Sequence, residues 1–388
     1  MTSIPPHLYR KLAPKELDPV IVDRALDQLL AVEANRLPGI LSLRHLAALT
    51  RSDYLYLRSI VARETDAYRT FTIRKRSGGG RLIAAPQPEL MALQRWISKE
   101  ILANITPHVA SHAYARKSSP LKCANLHVGA SWLIKVDIHD FFESITERRV
   151  FFAFRQMGYQ PIVAFELARI CTRVRIDLPL RDRRFAAARR TVGIAKYGHS
   201  QMGYLPQGAP TSPMLANLVS FEMDRKLTEF GAEKGLTYTR YSDDLIFSSG
   251  RSLSHKTAET YVAIISRIIN SFGHDVHERK TTIAPPGARK VVLGLLVDDT
   301  GVRLLRETRD RAADHVRGIE KFGLAAHATE RHFASLWGMV RHIHGLLRHM
   351  NSVQPEVAGP LLARLEAVLA REKWQGSLDD NFWLNDLL

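Results

Sequence analysis

Cysteine is nearly absent from this chain: Cys123 and Cys171 are the only two, without CxxC spacing. That excludes a disulfide scaffold and leaves too few thiols for a zinc site, so both read as core thiols in a reducing compartment. Long apolar runs are missing as well. Nothing approaches the ~18–20 residues of a membrane-spanning helix, and the longest candidates, such as Val291 to Val297, read as buried strands. The first residues, Met1 to Pro6, lack a charged segment followed by an apolar one, so no secretory signal is expected. The expectation is a cytoplasmic protein with no membrane partner.

Acids are the scarce charge. Asp and Glu number 39 against 55 Lys and Arg, a formal net charge of +16, and an excess of that size attracts polyanions. With the membrane disfavoured, nucleic acid is the expected partner. The 388 residues exceed the ~250–300 at which a single core stops growing, so two or three contiguous subdomains are expected. There are no internal repeats or low-complexity segments.

Residues 1–70 carry helical patterns (Val20 to Val32, Leu41 to Leu49) and no motif with assignable chemistry. At Phe71 the texture changes. A β-prone run reaches Arg74-Lys75-Arg76-Ser77-Gly78-Gly79-Gly80-Arg81 and leaves through Leu82-Ile83-Ala84-Ala85, which predicts a hairpin with a basic tip. Residues 172–204 hold a basic stretch with Arg181, Arg183, Arg184, Arg189 and Arg190, an extended loop or small insertion that either contacts phosphates or is simply solvated. Beyond residue 300 the pattern is helical, and Arg306, Arg309, Arg317 and Lys321 fall within about a third of the helix circumference at roughly 3.6 residues per turn. That face is suited to a nucleic-acid backbone. The last stretch, Asp379 to Leu388, mixes acids with large apolar residues and suits packing on its own domain better than docking a partner.

Two segments carry the chemistry. Trp132-Leu133-Ile134-Lys135-Val136-Asp137 is apolar and β-prone and ends in an acid before Ile138-His139-Asp140-Phe141-Phe142, a strand leading towards a helix with Asp137 at its exposed end. Leu236 to Phe247 holds two β-rich arms around Ser242-Asp243-Asp244, a hairpin with its acids at the turn. Adjacent carboxylates repel each other and invite a hard divalent cation, and Mg2+ prefers carboxylate oxygens together with substrate phosphates. Three acids from two strands suit a site in which ions ~3.5–4 Å apart serve in-line phosphoryl transfer. A solvated Asp-Asp turn is the plainer alternative for the pair taken alone. Between these segments, Leu205-Pro206-Gln207-Gly208-Ala209-Pro210-Thr211-Ser212-Pro213 leads into an apolar helical run, Met214 to Leu227. A Gln-Gly turn and a Ser-Pro helix start can present backbone N–H groups to a base pair or phosphate.

The order of these segments resembles reverse transcriptases, specifically the prokaryotic retron type, over roughly residues 70–370. The likeness rests on Asp137 with Phe142, Gln207-Gly208 with Ser212-Pro213, Tyr241-Ser242-Asp243-Asp244, and Gly273 to Thr282 around Lys280. Pro86 to Leu102, with Gln94 and Trp96, resembles the family's helix after the basic hairpin, and Ala113 to His127 a family region, though Asn125 and His127 are assigned no chemistry. Val291 to Val297 looks like the strand that retron enzymes usually write Val-Thr-Gly, with Leu293 in place of the threonine.

The resemblance implies an α/β (α+β) right-hand polymerase. Its parts would be an N-terminal helical extension (1–70), fingers (71–130), an antiparallel-sheet palm (131–299) and a helical thumb with the C-terminal tail (300–388). It implies that Asp137, Asp243 and Asp244, with the carbonyl of Ile138, hold two Mg2+ ions, Mn2+ being a substitute. Lys280 would protonate or neutralise the leaving pyrophosphate, and Arg74, Lys75 and Arg81 would grip the triphosphate. Phe142 would exclude the 2′-hydroxyl, Gln207 and Gly208 would shape the nucleotide pocket, and Tyr241 would pack near the primer end. Read bare, Phe142 is a core aromatic, Gln207-Gly208 an ordinary turn, Tyr241 a strand residue and Lys280 a surface lysine. The implied partners are deoxynucleoside triphosphates, a structured non-coding RNA as template and primer, its DNA product, and an effector protein in anti-phage defence. Other defence-associated or group II intron-like reverse transcriptases, some synthesising DNA without a template, share most of this core, and an RNA-binding scaffold with incidental acids also stays open.

Overall fold

The structure, a computed structural model, describes residues 18–74, 78–174 and 202–374, together with Lys11 and Gly376. Lys75, the arginines of the basic stretch (Arg181, Arg183, Arg184, Arg189, Arg190) and Asp379 to Leu388 lie outside the described residues.

Among the described residues, three helices precede the hairpin: α1 (Pro19–Ala34), α2 (Leu43–Thr50) and α3 (Tyr54–Val61). Each begins where a side chain accepts from a first-turn amide, Asp18 from Val20, Ser42 from His45 and Asp53 from Tyr56, which satisfies donors that a helix start leaves orphaned. The predicted hairpin follows. Strand β1 (Tyr68–Arg74) pairs antiparallel with β2 (Gly80–Pro86), with Arg74 opposite Gly80. Next come α4 (Pro88–Trp96) and α5 (Pro120–Asn125). Gln94 of α4 is fully buried and donates to the Tyr68 hydroxyl (2.8 Å) and the Ile170 carbonyl (2.7 Å), so its work is to fasten the hairpin's base.

The central sheet is built around β3 (Trp132–His139). Strand β5 (Asp244–Ser249) runs antiparallel along one edge of β3, and β4 (Thr237–Tyr241) pairs outside β5. On the other edge, β7 (Thr282–Ala284) pairs with the beginning of β3 and β6 (Asp275–Val276) with its end. Side chains alternate across a strand. Ile134, Val136, Leu245 and Phe247 therefore enter one core, with the helices α6 (Glu147–Gln156), α7 (Pro161–Cys171), α8 (Ser212–Val219), α9 (Phe221–Lys234) and α10 (His255–Ser271), while Leu133 and Ile246 enter another.

That second core belongs to a C-terminal unit, a small sheet of β8 (Lys290–Val292), β9 (Leu295–Val297) and β10 (Val302–Leu304) under helices α11 (Arg306–Glu330), α12 (Leu336–Val353) and α13 (Pro355–Arg371). Here the expectation of one strand over Val291 to Val297 is corrected. Leu293 and Gly294 both have positive φ, 50° and 79°, the geometry of a two-residue type I′ turn, so the run folds back with Val292 opposite Leu295. Apolar residues on both arms hide the turn from any reading by hydropathy. The helical run Met214 to Leu227 is likewise two helices, broken at Ser220, and α11 is interrupted at Gly323, where φ is 80°. The mixed helix-and-sheet class is as expected. No helix among the described residues is long and apolar enough to cross a membrane.

Candidate active site

Strand β3 does not stop at Asp137, as expected, but runs two residues further, and the Asp137 side chain keeps 12% of its exposure. Directly opposite it in register is Asp244. Cross-strand partners share one face of a sheet with Cβ atoms about 4.5–5.5 Å apart, and like charges so placed are destabilising unless something neutralises them. The β4–β5 turn consists of Ser242 and Asp243, with Tyr241 opposite Asp244. Its backbone is fixed to β3 by the Ile138 N–H, which donates to the Asp243 carbonyl at 3.0 Å. Ser242 holds φ at 61°, a conformation that a non-glycine residue adopts at some cost.

Burial pushes the carboxyls of both Asp243 and Asp244 up from the ordinary value; the charge of Asp137 adds to this in each, and Lys280 opposes it. Lys280 Nζ lies 2.9 Å from Oδ1 and 3.1 Å from Oδ2 of Asp137, so the chain's own cation sits on that carboxylate. No three His, Cys, Asp or Glu side chains among the described residues stand ready as an ion cage. The donor chemistry nonetheless fits a hard divalent cation, since Asp137 and Asp244 are cross-strand partners and Asp243 adjoins them in the turn, all three carboxylates.

Around the acids, the structure brings some predicted residues together and leaves others apart. Tyr241 is half-buried against the second core. Phe142 is buried, with its ring centroid 5.6 Å from that of Phe141 and 6.3 Å from that of Tyr114. Gln207 accepts from the Ala84 N–H at 2.8 Å, docking the Gln-Gly turn on β2. Gly208, with φ at 111°, lies so close that a Cβ there would meet Ile83 Cγ2 at 2.7 Å and the Ala84 carbonyl oxygen at 3.3 Å. Arg74 and Arg81 are exposed on the hairpin, and the charge of Arg81 acts on the Tyr114 phenol. Arg306, Arg309, Arg317 and Lys321 are exposed on α11. They share that surface with acids, since Asp310 is 3.4 Å from Arg306 and Asp314 pairs with Arg317.

Three residues at the site are given no chemistry by the sequence. Tyr114 donates its hydroxyl to Ser242 Oγ at 3.0 Å. Arg240, fully buried, donates to the Ser242 carbonyl at 3.1 Å and forms an ion pair with Asp224. His127, read from sequence as packing or surface, has Nδ1 2.7 Å from Ser248 Oγ and Nε2 2.7 Å from Thr239 Oγ1, bridging β4 and β5. The alternation of β4 flags Arg240 as an odd charge in a buried strand; nothing local flags the other two.

A hairpin thus sets two aspartates beside a third on the neighbouring strand of an antiparallel sheet. Residues 73–305, more than half of the chain, match the family model for reverse transcriptase (RNA-dependent DNA polymerase). The Retron Mx162 reverse transcriptase of Myxococcus xanthus is 34% identical over 73% of this chain and 59% of that protein, and the Retron Ec86 reverse transcriptase of Escherichia coli 30% identical over 70% and 76%. The chain thus spans less than two thirds of the first of these relatives. A solved telomerase structure from Candida albicans matches 81% of this chain and 65% of that one at 11% identity and a TM-score of 0.41, a distance at which nothing is carried across. The chain belongs to the reverse transcriptase family, and within it to the retron type.

Proposed function

We propose that this chain is an RNA-directed DNA polymerase that copies a structured non-coding RNA into DNA. The observation that carries the reading is the register that puts Asp137 opposite Asp244 while Ile138 pins Asp243 beside them. In this reading the fingers are residues 71–130, the palm 131–299 and the helical thumb begins at 300. Asp137, Asp243 and Asp244, with the Ile138 carbonyl, hold two Mg2+ ions, for which Mn2+ substitutes. Bound there, divalent cations raise the nucleophilicity of the primer hydroxyl and stabilise the departing pyrophosphate.

The chain's own groups do the rest. Arg81 and Arg74, with Lys75, bind the triphosphate, because a guanidinium fork matches phosphate oxygens. Gln207 and Gly208 line the nucleotide pocket against β2, Phe142 closes it against a 2′-hydroxyl, and Tyr241 packs towards the primer end. Lys280, which sits on the Asp137 carboxylate, offers its proton or charge to the leaving group. Arg306, Arg309, Arg317 and Lys321 lie along the nucleic-acid backbone. On the resemblance alone, we further infer a cytoplasmic role in anti-phage defence beside an effector protein.

The test is divalent-cation-dependent incorporation of each deoxynucleotide by the wild type and by the Asp243→Asn, Asp244→Asn variant, with copurified RNA and with an added RNA template. Incorporation by the wild type alone, matched to the template, supports the reading. Incorporation indifferent to template identifies an untemplated polymerase, and equal behaviour of the two proteins sinks the site.

A further inference from the structure

Arg240 sits at the middle of a buried network that the proposed chemistry does not use. Its Nε donates to Asp224 Oδ1 at 2.8 Å and its Nη2 to Asp224 Oδ2 at 2.7 Å. Nη1 is shared between Asn217 Oδ1 (3.2 Å) and the Ser242 carbonyl (3.1 Å), and Nη2 also reaches Ser111 Oγ (3.3 Å). Asp224 accepts in addition from the Tyr238 hydroxyl at 2.8 Å. Both members of the ion pair have fully buried side chains.

A buried ion pair is weak evidence for stability, since apolar residues of similar volume often do as well or better. What an arginine adds is a rigid fork whose remaining N–H groups point in fixed directions once two of them are bound. Here one of the remaining N–H groups, on Nη1, aims at the carbonyl of Ser242, the residue with φ at 61° that delivers the two aspartates. The turn is thus held at three points: the Ser242 carbonyl by Arg240, the Ser242 hydroxyl by Tyr114 and the Asp243 carbonyl by Ile138. Asn217 belongs to α8, whose first residue, Ser212, donates through Oγ to the Pro206 carbonyl at 2.7 Å. The same network therefore ties the Gln207-Gly208 loop to the turn.

We propose that Arg240, locked in place by Asp224, is a positioning residue: it fixes the strained Ser242 turn and so sets where Asp243 and Asp244 present their carboxylates, in register with the nucleotide-pocket loop. This rests on the reading of the three aspartates as the cation site. Catalysis falls steeply when reacting groups are misplaced, by about a hundredfold for a shift of roughly 1 Å, so the network's effect is to be sought in the chemical step and in cation affinity, with fold and nucleotide affinity little changed.

The experiment compares the wild type, Arg240→Lys, the double variant Arg240→Met with Asp224→Asn, and Asp243→Asn. The lysine keeps a charge for Asp224 without the fork; the double variant removes both charges while leaving Tyr238 an acceptor. Each is measured for urea unfolding, Mn2+ binding by calorimetry without nucleotide, and kcat and KM for a deoxynucleotide. The expected result is cooperative unfolding, a kcat about ten- to a hundredfold lower with KM little changed, and several-fold weaker Mn2+ binding in both Arg240 variants. A folded Arg240 variant with wild-type kcat and wild-type Mn2+ affinity overturns the proposal, as does failure of both variants to fold, which makes Arg240 a folding residue. An active Asp243→Asn protein instead removes the cation site on which the proposal stands.

Discussion

The ammonium of Lys280 lies within hydrogen-bond reach of both carboxylate oxygens of Asp137, at 2.9 and 3.1 Å. In the proposed reaction that lysine must leave Asp137 for a divalent cation to take its place. Two effects of Lys280→Ala then have opposite signs. The half-saturating Mg2+ concentration falls, because a competitor for Asp137 is gone. The kcat falls too, by about 10²-fold or more for a positioned general acid. A Mg2+ titration of single-nucleotide incorporation reads both, and an unchanged kcat would reduce Lys280 to a counter-ion.

Gly208 is predicted to tolerate no side chain. Its φ of 111° and the 2.7 Å approach of a Cβ to Ile83 Cγ2 mean that Gly208→Ala either strains the turn, at about 1–3 kcal/mol, or lifts it from β2. The expected outcome is a KM for deoxynucleotides raised about tenfold, the equivalent of about 1.4 kcal/mol, with template binding unchanged. Wild-type nucleotide KM in this variant would show that the turn does not line the pocket.

The contrast between Gly208 and Arg240 shows what the sequence makes legible. Asp137, the Ser242-Asp243-Asp244 turn and the glycine hairpin are local patterns, each a β-prone run ending in a polar break, and β1 to β5 form over these runs, with β3 continuing two residues past Asp137. The partners that hold these pieces are distant in the chain: Arg240 reaches Ser111 and Asp224, His127 reaches Thr239 and Ser248, and Tyr114 reaches Ser242. No periodicity encodes such contacts. The fold-back at Leu293-Gly294 escapes for a different reason, since a leucine at positive φ is a turn residue only because its neighbours force it.

Glu147 is the clearest stability test. It is buried between Arg63 (2.6 Å) and Arg169 (2.9 Å) and also accepts from the Gly203 N–H at 3.1 Å. Burial alone would raise its carboxyl, but the two guanidinium groups outweigh burial and hold it below the ordinary value. Glu147→Gln keeps the shape and removes the charge that the buried Arg63 and Arg169 share, so a loss of about 3–5 kcal/mol is expected. Urea unfolding at neutral pH measures it, and a loss below about 1 kcal/mol would mean that water screens the cluster.

His127 gives the fold a pH dependence of predictable sign. Burial, aided by the nearby charge of His112, pulls its imidazole down from 6.5 to about 4, while both ring nitrogens bridge the strands that carry the acids. The unfolded chain therefore takes up the proton more readily than the folded one. Stability from this residue is fully present above pH 6.5 and is lost as pH falls towards about 4, by roughly 3 kcal/mol at about 1.4 kcal/mol per pH unit. Glu166 works in the opposite direction: burial lifts its carboxyl to about 7, so its contribution is lost as pH rises through that value. Because the two overlap, the wild type's own pH profile is ambiguous, and the comparison that isolates His127 is the difference in unfolding free energy between wild type and His127→Gln. That difference is expected to shrink steadily from pH 6.5 downwards; a difference constant with pH would mean that His127 is already protonated in the fold or reached by water, and that its bridge between Thr239 and Ser248 is made by an imidazolium.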